Sequence, residues 1–357
     1  MKLIQNLPAG TLDIIGDIHG EYQALCDLLQ HLHYDHNGKH PEGRHLVFVG
    51  DFCDRGPDSP AVLNLVQHMI TLGNASAILG NHEINLLRDD AKDGSGWFFD
   101  QRQEHDAPKY SPYQRASIDQ KIHIKQFLRT LPLALERDDL RIVHAAWHAE
   151  AITLLRHLST HELTDHYHRW DTAAQSAARQ LEDAIQDELT TWPHGLENKQ
   201  QTPPMLHAHA EHDSLRQMRN PIRVVSSGIE RKAHAPFYSS GKWRFAERVQ
   251  WWNEYDDATP VVIGHYWRRA TPMDRNAIGK GDPDLFNDTI SHHWHGKRGN
   301  VFCVDFSVGG RWSARKTNAP LQQDCKLAAL RWPERTLCFD DGSELATEGF
   351  MSNKKVN

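Results

Sequence analysis

The sequence predicts an α/β fold, on two observations. In the early chain, apolar runs of strand length alternate with stretches of helical spacing, and each run ends on glycine, aspartate or histidine. Three polar blocks then follow three of those runs: Gly16-Asp17-Ile18-His19-Gly20, Gly50-Asp51-Phe52-Cys53-Asp54-Arg55-Gly56 and Gly80-Asn81-His82-Glu83.

The runs Leu12 to Gly16, His45 to Gly50, Ala75 to Gly80, Leu140 to Ala145 and Pro260 to Gly264 read as buried strands. Between the first three lie helical patterns, Glu21 to Leu32 and Ser59 to Leu72. The second opens on Ser59-Pro60, which suits Ser59 as N-cap with proline in the first turn. The order is therefore β-α-β-α-β. Later strands are expected at Val301 to Val308, Lys326 to Trp332 and Arg335 to Asp340, the last two joined by a Pro-Glu turn. From Ser159 to His212 the chain turns polar and rich in His and Gln. There Ala174, Ala177, Leu181, Ile185 and Leu189 recur at three- and four-residue spacing, which predicts an amphipathic helix in an inserted cap. The expected organisation is one domain over 1–350, with a cap-like helical insertion at 151–219 and a flexible tail at 351–357, frayed from Ser352 to Asn357.

Composition narrows the function classes. With 39% hydrophobic and 24% charged residues, the 357-residue chain is globular and has material for a sizeable core. A formal charge of -7 argues against a nucleic acid duplex as partner and offers no polybasic stretch for an anionic membrane. No run approaches the roughly 20 apolar residues of a membrane span. The opening residues lack the apolar run of a signal peptide, and the five cysteines form no Cys-x-x-Cys pair, so a cytoplasmic protein with reduced thiols is expected. Nothing points to an obligate protein partner. Histidine is in excess, at 25 residues, and only position in a motif separates ligands from surface residues. The groups His207, His209, His212 and His292, His293, His295 have the composition of accessory metal sites, but histidine-rich loops are commoner, and they receive no role.

Asp17 and Asp51 are 34 residues apart and Asp51 and Asn81 30, about one strand-helix-strand unit each. That spacing sets three polar loops side by side at the carboxyl ends of neighbouring strands, where open α/β sheets gather ligands. Asp17 and His19, two apart on extended chain, point the same way and can grip one cation. A carboxylate with an imidazole suits a hard or borderline metal. Asp51, at the end of the next strand, can bridge two cations. Asn81 offers a neutral carbonyl oxygen, which leaves His82 free to move a proton.

The three blocks resemble the PPP family of metallophosphatases, whose pattern GDxHG, GDxxDRG, GNHE stands complete here. The resemblance implies a four-layer α-β-β-α sandwich of two mixed sheets and a site for two metal ions, Mn first, with Fe, Zn, Co or Mg as alternatives. It implies Asp17, His19 and Asp51 on one ion and Asp51, Asn81, His144 and His265 on the other. It makes His82 the acid, Asp54 its orienting carboxylate and Arg55 a phosphate clamp. His144 and His265 each end an apolar run, and His148 is the runner-up to His144. Because one arginine poorly covers a dianionic group, a second is expected between those two histidines; Arg231 is the candidate, with Arg223, Arg244 and Arg248 open.

The expected reaction is hydrolysis of phosphomonoesters, on phosphoprotein or small phosphorylated compounds, by a hydroxide bridging the two metals. The intact Asp54-Arg55-Gly56 favours that reading. The late segments Gly264-His265-Tyr266-Trp267, Val304-Asp305-Phe306-Ser307 and Leu330-Arg331-Trp332 resemble the ending of bacterial symmetrical diadenosine tetraphosphatases, so a dinucleoside polyphosphate is the alternative substrate. A silent phosphate-binding regulator ranks below both, because nucleophile, acid and clamp residues are all present. Trp243, Trp251, Trp252 and Trp267 read more readily as core than as a wall for a nucleobase.

Overall fold

The computed structural model describes residues 1–239, 241–271, 281–318 and 324–351, so the frayed end expected at Ser352 to Asn357 lies outside the described residues. In chain order the strands are β1 (Ile4–Asn6), β2 (Leu12–Ile15), β3 (His45–Phe48), β4 (Ala75–Ala77), β5 (Ala134–Arg137), β6 (Leu140–Val143), β7 (Glu230–Ser239), β8 (Lys242–Arg248), β9 (Val261–Ile263), β10 (Val301–Cys303), β11 (Ala328–Trp332), β12 (Thr336–Phe339) and β13 (Glu344–Ala346). They form two mixed sheets, in the orders β13-β12-β11-β2-β3-β4 and β1-β5-β6-β9-β10, and a separate β7-β8 hairpin.

Side-chain alternation builds the layers. Leu12 and Ile14 of β2, Val47 of β3, Leu140 and Ile142 of β6, Val262 of β9, Phe302 of β10 and Leu330 of β11 share one apolar cluster drawn from both sheets. Their neighbours Ile15, Phe48, Val143, Ile263 and Cys303 face the other way, into a cluster with the helical residues Leu25, Leu28, Val62, Val66, Ile152 and Ile222. These strands thus bury one face on the opposite sheet and the other under helices, which gives helix, sheet, sheet, helix. The β2-β3-β4 pairing is parallel, as strand-helix-strand crossovers require.

Local differences from the sequence reading have physical causes. Asp58, not Ser59, caps helix Ser59–Thr71, accepting from Ala61 N. Ser59 Oγ instead accepts from Asp54 N at 3.0 Å and braces the second polar block. The strand expected over Val301 to Val308 stops at Cys303. Beyond it Val304, Phe306 and Val308 stay buried, but Asp305 accepts from Ser307 N at 2.8 Å and turns the chain, so that alternation marks burial and not a ladder. Segment 151–219, expected to carry one amphipathic helix over Ala174 to Leu189, forms two there, Leu163–Ala178 and Glu182–Thr191, with a short 3-10 turn between them. Its last helix, His207–Met218, does not stand alone: Leu206 and Ala210 pack on Trp243 and Phe245 of β8. That charged hairpin, with β1 and β5, had no period strong enough to be read. No helix among the described residues is long and apolar enough to cross a membrane. All five cysteines are free thiols, Cys26 half-buried and the rest buried.

Candidate metal centre

The three blocks leave the carboxyl ends of β2, β3 and β4, while His144 and His265 leave those of β6 and β9, so both sheets feed one edge of the sandwich. Asp51 is at the middle. Its Oδ2 lies 3.8 Å from His19 Nε2, 3.4 Å from His144 Nε2 and 3.9 Å from His82 Nε2. Asn81 Oδ1 lies 3.3 Å from His144 Nε2 and 2.9 Å from His265 Nδ1. Two donor groups result, His19-Asp51-His82 and Asp51-His144-His265, each with ligand atoms within 4.8 Å of one another, and Asp51 belongs to both. Asp17 is buried beside them, and its carboxylate accepts from His265 N at 3.0 and 3.2 Å.

These residues fit a pair of cations. Oxygen and imidazole donors suit divalent metals of hard to borderline character. His265 Nε2 is buried without a hydrogen-bond partner. The acid load also calls for positive charge: burial and then Asp305 push the Asp17 carboxyl well above the usual range. For Asp51 burial acts in the same direction, yet the nearby His144 and His82 override it and hold the group well below its usual value. The converse holds at His144, where burial favours the neutral ring but Asp51 raises it to about 10. His19 is driven well below the usual histidine range by burial and then by Arg55.

His82 is placed differently. Its Nδ1 donates to Asp54 Oδ2 at 2.5 Å, which leaves Nε2 facing the cluster. Burial lowers its pKa, but Asp51 and Asp54 outweigh burial, and the net shift is upward. Asp54 is itself oriented by the indole of buried Trp97, which donates to Oδ1 at 2.6 Å. Arg55 reaches inward, Nη1 donating to His19 Nε2 at 2.8 Å and Nη2 to His82 Nε2 at 3.1 Å.

The backbone is bent to deliver these groups. His19, Asp51, Asp54, Arg55, His265, Trp267 and Ser307 all hold left-handed φ values, between 47° and 74°. Such conformations cost non-glycine residues about 1–3 kcal/mol each and persist only where surroundings enforce them. Glu83 supplies much of that enforcement. Buried, it accepts from Asp51 N and Phe52 N at 2.8 Å and Gly80 N at 2.9 Å, tying the second block to the third. Asp305 does the same for the loop after β9, accepting from Trp267 N at 2.7 Å.

Not every expected residue arrives. Arg231 lies on β7 with its side chain 68% exposed, 4.0 Å from Glu247, and the structure does not bring it to the cluster. Arg223 is paired with Asp171 at 2.6 Å, whereas the charge of Arg248 is felt at His265. His148 caps helix Ala149–Leu155 by accepting from Ala151 N. Of the four tryptophans, Trp243, Trp251 and Trp252 are core, but half-buried Trp267 stands at the site, its ring 4.8 Å from the Arg55 guanidinium and 6.1 Å from His19.

The positioning residues Trp97, Glu83 and Asp305 received no role from the sequence, although Glu83 stands within a block and Asp305 within one of the late segments. Gly309, far from every block, is another. A Cβ there would sit 2.5 Å from His19 Cδ2. Gly309→Ala should displace the His19 ring and weaken metal binding by more than about 10-fold, the scale of a disturbed supporting contact. Titration of apo protein with Mn²⁺ checks it, and an unchanged affinity would mean the loop yields instead.

The profile of the family described as Calcineurin-like phosphoesterase matches residues 10–269. A curated relative from Halalkalibacterium halodurans, named asymmetrical bis(5'-nucleosyl)-tetraphosphatase, is 47% identical over 79 residues, 21% of this chain and 32% of the relative. The chain thus spans about a third of the length of the first curated relatives it matches. A symmetrical bis(5'-nucleosyl)-tetraphosphatase from Coxiella burnetii is 26% identical over 265 residues, 71% of this chain and 77% of the relative. The solved structure of a cold-active protein-tyrosine phosphatase from a Shewanella species covers 98% of this chain and 83% of its own at 17% identity, with a TM-score of 0.46.

Proposed function

Because the chain belongs to the calcineurin-like phosphoesterase family, we propose that it hydrolyses phosphoric esters and anhydrides with the help of two metal ions, and that its substrate is a dinucleoside polyphosphate. The observation that carries the reaction is the pair of donor groups sharing Asp51. Asp17, His19 and Asp51 would hold one ion, and Asp51, Asn81, His144 and His265 the other. Bound there, the ions supply Lewis-acid charge on the phosphoryl oxygens and a water acidified enough to attack phosphorus.

The chain's own groups do the rest. Arg55 donates to a non-bridging phosphoryl oxygen, giving up its bonds to His19 and His82. His82, oriented through Nδ1 by Asp54 and protonated from solvent at Nε2 once Arg55 has left it, delivers that proton to the leaving oxygen as the P–O bond breaks. Arg248 adds positive charge that reaches His265.

Two observations support the nucleotide. Trp267 presents an indole 4.8 Å from the clamp arginine, an aromatic surface of the kind that stacks on a base. The relatives matched over most of their length are named for a dinucleoside tetraphosphate. One observation supports the second reading, a phosphomonoester: the Trp97-Asp54-His82 relay would chiefly help an alkoxide leaving group, which needs a proton more than a nucleotide phosphate does.

A panel of diadenosine tetraphosphate, p-nitrophenyl phosphate and phosphopeptides, assayed with Mn²⁺, separates the readings. Trp267→Ala should raise KM for the dinucleotide by about 10-fold or more, the worth of one base stack, and change p-nitrophenyl phosphate turnover much less. Equal losses on both substrates would sink the stacking role. No turnover of any phosphoester by metal-loaded protein would sink the enzyme.

A further inference from the structure

We propose that His292, His293 and Glu348 form a second binding site, for one divalent transition-metal ion of the zinc class, apart from the centre around Asp51. One ligand atom from each lies within 4.8 Å of the others. His292 Nε2 is 3.6 Å from Glu348 Oε1 and His293 Nε2 is 3.2 Å from Oε2. Those separations are at or beyond the long end of a hydrogen bond. Metal–ligand bonds of roughly 2.0–2.1 Å put neighbouring tetrahedral donors about 3.3 Å apart, a spacing close to these, although the two histidines now face different oxygens of Glu348 and one must turn for a single oxygen to serve both. Two imidazoles and a carboxylate are a zinc-class donor set, and three protein donors leave one position for water.

The convergence is unusual for adjacent residues, because neighbours on extended chain point to opposite sides. Here His293 N donates to Ile290 O at 2.9 Å, and the turn brings both rings to one side, 4.8 Å apart in an edge-to-face arrangement. The two chain segments are held in register before any ion arrives. Glu348 N donates to His292 O at 3.1 Å, and Trp294 N to Glu348 O at 2.8 Å. Buried Trp294 anchors the same junction through its indole, which donates to Thr347 Oγ1 at 2.9 Å. From beneath, the guanidinium of fully buried Arg268 donates to Ile290 O and His293 O, both at 2.7 Å. The backbone is therefore set, and an ion would have only three half-exposed or exposed side chains to order, a small cost. A plain ion pair is the rival account, but one exposed carboxylate shared by two histidines is worth little as an ion pair and gives no reason for a second ring.

The ion would staple the chain after β13 to the loop that Arg268 grips, and Arg268 follows directly on Trp267 of the metal centre. The test uses the full chain, stripped with chelator, dialysed against Zn²⁺ and counted for bound zinc. Glu348→Gln and His293→Ala should each bind one equivalent fewer than the unaltered protein, while phosphoester turnover with Mn²⁺ stays within 2-fold or so. Zn²⁺ should raise the Tm of the unaltered protein by more than that of either variant. The count is a difference, so it stands whatever the Asp51 centre holds. Equal zinc counts in all three proteins, each folded by circular dichroism, would overturn the proposal. Glu348→Gln, nearly isosteric and exposed, decides the matter if His293→Ala does not fold.

Discussion

His82→Asn is expected to lower kcat by at least about 100-fold, the lower end of what a positioned general acid contributes, while metal content stays at its original level. The reason is geometric. His82 Nδ1 is locked to Asp54 at 2.5 Å, and its Nε2 stands 3.9 Å from Asp51 Oδ2, close enough to share the site without being required by it. Turnover and metal content measured on the same sample check the prediction; loss of metal along with activity would make His82 a ligand and not an acid. Asp54→Asn supplies a control through pH. Burial lowers the His82 pKa while Asp51 and then Asp54 raise it, so removing the Asp54 charge moves it down. The acid form of His82 is then lost at lower pH, and the alkaline limb of the kcat/KM profile should move towards acid. A limb that stays in place would detach Asp54 from His82.

Asp51→Asn is expected to remove both ions and with them all measurable hydrolysis. Both donor groups contain Asp51, so its negative charge serves both ions. An amide keeps the shape and can still accept from His82 N, which now bonds to Oδ1 at 3.1 Å. It brings no charge, so two cations would face each other across a neutral bridge. Affinity for Mn²⁺ should fall by more than the roughly 10–100-fold that outer contacts are worth. Calorimetric titration measures it. A variant that still binds two ions with unchanged affinity would show that the bridge is elsewhere.

The donor types were legible in the sequence because each block is local: strand, turn and donor lie within a few residues, and alternating β and α elements dictate that the loops share an edge. Buried strands with short apolar runs were legible for the same reason. The β7-β8 hairpin was not, since Glu230, Arg231 and Lys232 carry charge where strand patterns carry apolar residues, and its register rests on cross-strand partners such as Glu230 and Arg248. Which of Arg231 and Arg248 lies nearer the cluster was not legible either, because they stand on the two strands of that hairpin and its register sets where each emerges.

By itself, the sequence determined the chemistry on offer, carboxylates, imidazoles, an amide and an arginine at spacings that one strand-helix-strand unit imposes, together with the apolar runs that become buried strands. Only the tertiary structure decided what surrounds it: Trp267 beside Arg55 and not in the core, Trp97 on Asp54, Gly309 against His19, and Glu348 across from His292 and His293. Each of these joins residues tens to hundreds of positions apart. No local period records such pairs, since they are set by how sheets and loops pack and not by the conformation of any one segment.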